Sequence, residues 1–203
     1  MRAMDLDAEG NPWHRHGSRR VYETPWIRVR VDDVTRPDGA PGTYGVVEFR
    51  SRAIGIVPVT PEGDTFLVGQ WRYPLAQYSW EIPEGGGRLD EPPLEAARRE
   101  LREETGLEAG RWTYLGELST SNSVTDELGC VFLAEELTQG PADPEGTERL
   151  QVRRVPLAMA YEMAMTGEIS DGLAIIGLAR AWRHLHGGAP LRPVARSFPG
   201  LGG

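Results

Sequence analysis

Three glutamates in one short stretch are the residues best suited to chemistry in this 203-residue chain. Glu103 and Glu104 follow Glu100 by three and four positions, so a helix would place their carboxylates close together. Like charges at that spacing destabilise a bare helix by roughly 0.2–0.5 kcal/mol per pair. Two interpretations are open: a solvated acidic face, or a site for a hard divalent cation such as Mg²⁺, which prefers oxygen ligands.

A helix over 94–105 must position these carboxylates. Asp90 is the expected cap for its free N–H groups, and Pro92 or Pro93 suits the first helical position because no N–H partner is needed there. Gly106 is expected to end the helix in the left-handed conformation. Three apolar residues at helical spacing predict a stripe that packs on a core, namely Leu94, Ala97 and Leu101.

The composition is that of a globular protein with a substantial core. A net charge of −8 argues against nucleic-acid binding, because neutralising phosphates needs a basic surface. No apolar run has the roughly 20 residues of a membrane span, and the N-terminus lacks the apolar segment of a signal peptide. We therefore expect no membrane association and a cytoplasmic location. Cys130, the single cysteine, is expected to pack in the core.

Alternating strand and helix signals predict an α/β sandwich. The predicted strands are 20–33, 44–49, 53–60, 65–70, 78–82, 111–117, 129–134 and 150–155, and further helices are expected at 156–166 and 171–185. Polar or Gly/Pro-rich ends predict loose tails at 1–18 and 187–203.

The segment from Gly85 to Leu107 combines these features in one fixed pattern. Its nine fixed positions match the box of one enzyme family: Gly85, Glu91, Arg99, Glu100, Leu101, Glu103, Glu104, Gly106 and Leu107. The chain thus resembles the Nudix hydrolases. The resemblance implies an α+β fold with a mixed sheet sandwiched between helices in a domain over 51–186, with an N-terminal antiparallel hairpin region at 19–50. It also implies metal-dependent hydrolysis of a nucleoside diphosphate joined to another group.

The resemblance also implies roles for individual residues. Arg99 would orient Glu100, and Glu91 would have a supporting electrostatic role. The metal, Mg²⁺ with Mn²⁺ as a substitute, would be held by the side chains of Glu100, Glu104 and Glu103 and by a backbone carbonyl at Glu84 or Gly85. Glu103 and Arg99 are accordingly predicted to be catalytic.

Family members often use a further glutamate from outside the box. Glu148 is the predicted extra ligand and Glu145 the predicted base, although either could be a solvated loop charge. Glu127, in the loop after the box, is a candidate for substrate or metal contact.

The stretch 69–86, GQWRYPLAQYSWEIPEGG, resembles the corresponding segment of ADP-ribose and nucleotide-sugar pyrophosphatases. Arg72 would then bind the diphosphate or a terminal phosphate, since its planar fork suits phosphate oxygens. Trp26 is the preferred candidate for stacking on the base, ahead of Trp71 and Trp80, with core or dimer packing as the alternative for each. The hairpin region in that branch helps to build a homodimer, which we expect here.

Two departures from that branch leave the substrate open. Where the branch reads Ser-Pro-Gly and Pro-Ala-Gly, this chain has residues 121–123, Ser-Asn-Ser, and 83–85, Pro-Glu-Gly. The preferred prediction is hydrolysis of ADP-ribose to AMP and ribose 5-phosphate. The alternatives are a nucleotide sugar, a dinucleotide or a flavin dinucleotide as substrate, or a non-catalytic sensor of ADP-ribose-like ligands.

Overall fold

The computed structural model describes residues 10–140 and 150–188, which belong to two compact units. The first contains the residues up to Arg50 together with Ser121–Asp126, and the second contains Ser51–Thr120 and the residues from Glu127 onward.

The elements in chain order are β1 (His14–Glu23), β2 (Ile27–Thr35), β3 (Pro41–Phe49), β4 (Ser51–Pro58), β5 (Asp64–Arg72), a 3-10 turn (Tyr73–Leu75), β6 (Gln77–Glu81), β7 (Glu84–Arg88), α1 (Pro93–Thr105), β8 (Leu107–Ser119), β9 (Leu128–Gln139), β10 (Gln151–Pro156), α2 (Leu157–Thr166) and α3 (Gly172–Leu185).

The first unit is an antiparallel sheet in the order β1-β2-β3. Strands β2 and β3 form the predicted hairpin, and β1 adds a third strand that starts at His14. The predicted tail over 1–18 is therefore wrong for residues 14–18. Loop residues also join this sheet, because Val47 N–H donates to Val124 O at 2.8 Å and Val47 bridges to Thr125.

The single strand predicted over 20–33 is two strands joined by a tight turn. Pro25 has no N–H to donate, and the Thr24 hydroxyl accepts hydrogen bonds from Trp26 N–H at 3.3 Å and Ile27 N–H at 3.1 Å. The apolar alternation continues on both sides of this turn. Pro25 was nevertheless an available sequence signal for the reversal, because a proline within a strand pattern argues against one continuous strand.

The second unit contains the mixed sheet of the predicted α+β fold. Its strand order is β7-β4-β9-β8, with β4 and β9 parallel and the other two pairs antiparallel. Strands β10, β5 and β6 form a separate antiparallel sheet.

Helices cover both faces of the mixed sheet, which confirms the predicted sandwich. Because side chains alternate along a strand, Ile54 and Ile56 of β4 pack with α1, whereas Val57 packs with α2 and α3. Cys130 of β9 lies on the α1 side and is fully buried, as expected. Within the described part of the chain, no helix has the length and hydropathy needed to cross a membrane.

The start and the end of α1 have different causes. Pro92 occupies the N-cap position without a side-chain hydrogen bond, and Pro93 begins the helix. The predicted capping by Asp90 is wrong, because its carboxylate pairs with the Arg88 side chain at 2.6 and 3.0 Å. Gly106 ends the helix with φ 71°, as predicted.

Candidate active site

The box glutamates lie along the part of α1 that faces the mixed sheet. Glu100 and Glu104 are only 8% and 9% exposed, whereas the Glu103 side chain is 19% exposed. Ala97 and Leu101 of the same helix are fully buried, and this apolar stripe fixes the rotation of the helix. The acidic face is therefore partly buried, and simple solvation does not account for it.

Arg99 connects these carboxylates to β7. One guanidinium nitrogen, Nη1, donates to Glu100 Oε1 at 2.7 Å and to Glu103 Oε2 at 2.9 Å. The other, Nη2, donates to Gly86 O at 2.8 Å and to Glu91 Oε2 at 3.4 Å. Such a fork restricts the rotamers of Glu100 and Glu103, as expected of an orienting residue. Glu91 contacts Arg99 and the Arg88 backbone, consistent with a supporting role.

Strand β7 approaches the glutamates through its backbone. The N–H of Glu84 donates to Glu104 Oε2 at 2.9 Å. A Cβ placed on Gly85 would overlap the carboxylate of Glu100. Glycine at this position therefore allows the carboxylate to lie directly against the strand.

A cavity of about 300 Å³ lies on the side-chain side of Glu84. Arg72, which was predicted to bind phosphate, lines this cavity and pairs with two carboxylates. Its Nε donates to both Glu81 oxygens, at 2.9 and 3.0 Å. Its Nη2 donates to Glu84 Oε1 at 2.7 Å. Asp171, which caps α3 by accepting from Ala174 N–H at 2.7 Å, completes the wall. Three carboxylates thus face one guanidinium.

The excess of carboxylates over guanidinium groups determines the electrostatics of this cavity. Burial, together with the nearby charges of Asp171 and Glu81, raises the pKa of Glu84 well above its usual range. The positive charge of Arg72 lowers the pKa of Glu84 and so opposes part of this rise. The wall carries excess negative charge, so a phosphate at Arg72 would have to compete with Glu81 and Glu84 for the guanidinium.

The donor chemistry of the box residues fits a hard divalent cation. Glu100, Glu103 and Glu104 supply only oxygen ligands, and Gly85 lets Glu100 lie against the backbone carbonyls of β7. Arg99 bridges Glu100 and Glu103, and Glu104 accepts from the backbone of β7. Among residues 10–140 and 150–188, the three carboxylates with oxygens all within 4.8 Å of one another are Glu81, Glu84 and Asp171.

Other predicted site residues have varied positions. Glu127 is half-buried, and its Oε2 accepts from the Thr120 hydroxyl at 2.5 Å. Trp26 is 74% exposed in the turn before β2 and so is open to stacking, and Trp71 is 60% exposed. Trp80 stacks instead under the Arg153 guanidinium at 4.3 Å. Glu145 and Glu148 lie outside the described residues.

Two charged residues of the cavity, Glu81 and Asp171, were not predicted as site residues. Glu81 is 2% exposed and ends β6, where its alternation with Ser79 points both side chains inward. Asp171 was expected only at the start of the helix over 171–185. A charged residue between Trp80 and Ile82 was the available signal for Glu81, because a buried carboxylate needs a partner.

Comparison with protein families decides the identity of the fold. Residues 49–172 match the model of the NUDIX domain, and residues 13–47 match the nucleoside diphosphate sugar hydrolase N-terminal domain. The chain belongs to the NUDIX family. It is a Nudix pyrophosphohydrolase, and Nudix hydrolases generally use divalent metal ions.

Relatives of this Nudix hydrolase match most of its length. The chain is 35% identical over 182 residues to an ADP-ribose pyrophosphatase of Mycobacterium tuberculosis, covering 87% of this chain and 86% of the relative. It is 33% identical over 154 residues to an ADP-ribose pyrophosphatase of Bacillus subtilis, covering 75% and 83%. A crystal structure of an ADP compounds hydrolase superposes with a TM-score of 0.75 at 22% identity, covering 87% and 97%, which supports the fold.

Proposed function

We propose that this Nudix hydrolase cleaves the pyrophosphate of ADP-ribose, giving AMP and ribose 5-phosphate, with Mg²⁺ as its metal. The observation that carries the proposal is the 35% identity to an ADP-ribose pyrophosphatase over 87% of the chain. That match is too long to lie within the NUDIX domain alone, so it includes part of the chain outside residues 49–172.

The geometry of the box supports the same reaction. Glu100, Glu103 and Glu104, with a backbone carbonyl of Glu84 or Gly85, would hold the ion. A bound divalent cation neutralises phosphoryl oxygens and lowers the pKa of water. Arg99 would keep Glu100 and Glu103 in fixed rotamers. Water would add to one phosphorus while the bond from that phosphorus to the bridging oxygen breaks. The proposed base, Glu145, and the additional ligand, Glu148, remain predictions.

Hydrolysis of a nucleotide sugar is the second candidate. The match of residues 13–47 to the nucleoside diphosphate sugar hydrolase N-terminal domain favours it. The two candidates share the metal-dependent step and differ in the group attached to the diphosphate.

We also propose a homodimer built through the hairpin region, 19–50. Light scattering should then give about twice the chain mass of 22.4 kDa.

The deciding experiment compares ADP-ribose hydrolysis by the wild type and Glu104→Gln, with Mg²⁺ or Mn²⁺ and chromatography of AMP. Loss of one charged ligand should lower kcat/KM by about a hundredfold or more. The control is Glu95→Gln, which removes an exposed carboxylate of the same helix paired with Arg98. No turnover by the wild type would exclude ADP-ribose, and ADP-glucose, diadenosine diphosphate and flavin adenine dinucleotide would then be tested.

A further inference from the structure

A cavity of about 530 Å³ lies between α1 and β8. One wall is a stripe of α1 that includes Arg98 and Arg102, and a second wall is formed by Glu108, Ala109 and Trp112 near the start of β8. The three glutamates proposed as metal ligands on this helix are not among its lining residues. Its volume falls within the range of about 300–1,000 Å³ that is usual for small-molecule sites.

Most of the charged groups around this cavity are already paired. The guanidinium groups of Arg98 and Arg99 donate to lining carboxylates at 2.7 and 3.4 Å. Arg102 and Glu108 are exposed, and neither side chain has a hydrogen bond or an ion pair with any residue that the structure describes. The walls therefore carry one guanidinium and one carboxylate that are available to a ligand.

Trp112 adds a flat apolar surface to these charged groups. Its indole N–H donates to Ala109 O at 3.1 Å, which fixes the orientation of the ring. Phe132 supports the ring edge to face, with ring centroids 6.3 Å apart and an interplanar angle of 79°. The side chain is half-buried, and part of it lines the cavity. An aromatic surface held in this way favours stacking of a planar ring.

We propose that this cavity binds a nucleoside monophosphate, with the base stacked on Trp112 and the phosphate at Arg102. The planar fork of a guanidinium suits phosphate oxygens. The carboxylate of Glu108 only accepts hydrogen bonds, so it favours a base with an exocyclic amino group over one with a carbonyl at the same position. Binding at this cavity does not depend on the proposed hydrolysis, since none of these three residues is a proposed metal ligand.

Isothermal titration of the whole chain in EDTA tests the proposal, because without a divalent cation no phosphate is held through the metal site. AMP differs from adenosine in the phosphate and from inosine monophosphate in the amino group of the base. We expect AMP to bind the wild type about tenfold more tightly than either. Arg102→Gln should weaken AMP by about tenfold and leave adenosine within about twofold. Glu108→Gln should remove the preference for AMP over inosine monophosphate, since an amide can also donate.

Arg111→Gln is the matched control, because it removes an exposed guanidinium of β8 that pairs with Glu135 at 2.9 Å and does not line the cavity. It should leave the dissociation constant of AMP within about twofold of the wild-type value. Trp112→Leu should weaken AMP and adenosine alike by about tenfold, as loss of a stacking surface does. Melting curves check folding, and if Trp112→Leu unfolds, Arg102→Gln with AMP and adenosine still decides. No saturable binding of AMP to the wild type, or the same affinity for AMP in Arg102→Gln, would overturn the proposal.

Discussion

Gly85 and Glu100 are so close that a Cβ on Gly85 would overlap the Glu100 carboxylate. Gly85→Ala should therefore displace this carboxylate, with a loss in kcat/KM of about a hundredfold, as expected when a catalytic group moves by about 1 Å. The change is measured by steady-state hydrolysis together with a melting curve.

Gly86, the next residue in β7, provides a matched control for the Gly85→Ala experiment. A Cβ on Gly86 would meet only Ser51 atoms, at 3.6 and 3.7 Å, which is ordinary contact. Gly86→Ala also retains the carbonyl that accepts from Arg99. Equal losses of activity in the two variants would contradict a specific role for the contact between Gly85 and Glu100.

Arg99→Lys tests whether the bidentate geometry of the guanidinium matters beyond its charge. A lysine keeps the charge but cannot reproduce the planar fork that reaches Glu100, Glu103 and the backbone of Gly86. We expect kcat to fall by about tenfold to a hundredfold and the Mg²⁺ concentration for half-maximal rate to rise. Arg98→Lys, an exposed neighbour paired with Glu95, should retain full activity. If both variants were equally active, Arg99 would not orient the ligands.

Arg72→Ala tests the charge balance of the acidic cavity. Removal of the guanidinium would leave Glu81 and Glu84 buried beside each other without their shared partner. A broken buried pair costs about 3–5 kcal/mol, and because Arg72 is one-third exposed we expect about 2 kcal/mol in the free energy of unfolding. Urea denaturation measures this loss. Arg154→Ala, which breaks an exposed pair with Asp64, should cost less than about 1 kcal/mol.

The box helix was predictable from sequence because its signals are local, whereas the adjacent strand β7 was not among the predicted strands. The apolar stripe of Ala97 and Leu101 fixed the buried face, and Gly106 marked the helix end. The capping prediction failed at Asp90 because a side chain with several possible partners gives no unique signal. Here Arg88, two residues earlier, competed successfully for the carboxylate.

The acidic cavity was not predictable because its members converge only in three dimensions. Glu81 ends β6, whereas Asp171 precedes α3, ninety residues later in the chain. Arg72 was predicted from a family pattern to be available for phosphate, and no sequence signal showed that Glu81 and Glu84 would both pair with it. Local motifs therefore predicted the helix that carries the box glutamates, and tertiary packing determined the charge beside it.

Gly177→Ala tests how tightly α3 packs on the mixed sheet. A Cβ there would lie 2.9 Å from Ile82, 3.2 Å from Val131 and 3.3 Å from Val57. Overpacking of this kind typically costs about 1–3 kcal/mol, and we expect a loss in that range by urea denaturation. A Cβ on Gly172, at the start of the same helix, would have no neighbouring atom of the described residues within 4 Å. Gly172→Ala should therefore lie within about 0.5 kcal/mol of wild type.

Cys130 offers a direct probe of the opening of the mixed sheet. Burial raises the pKa of its thiol, and only the thiolate attacks disulfide reagents, so at pH 8 the native protein holds a smaller thiolate fraction than an exposed cysteine. We expect Ellman's reagent to react more than about a hundredfold more slowly with the native chain than with the chain in guanidinium chloride. Because the sequence has one cysteine, the absorbance reports this site alone. Complete reaction of the native protein within seconds would contradict a buried position in β9.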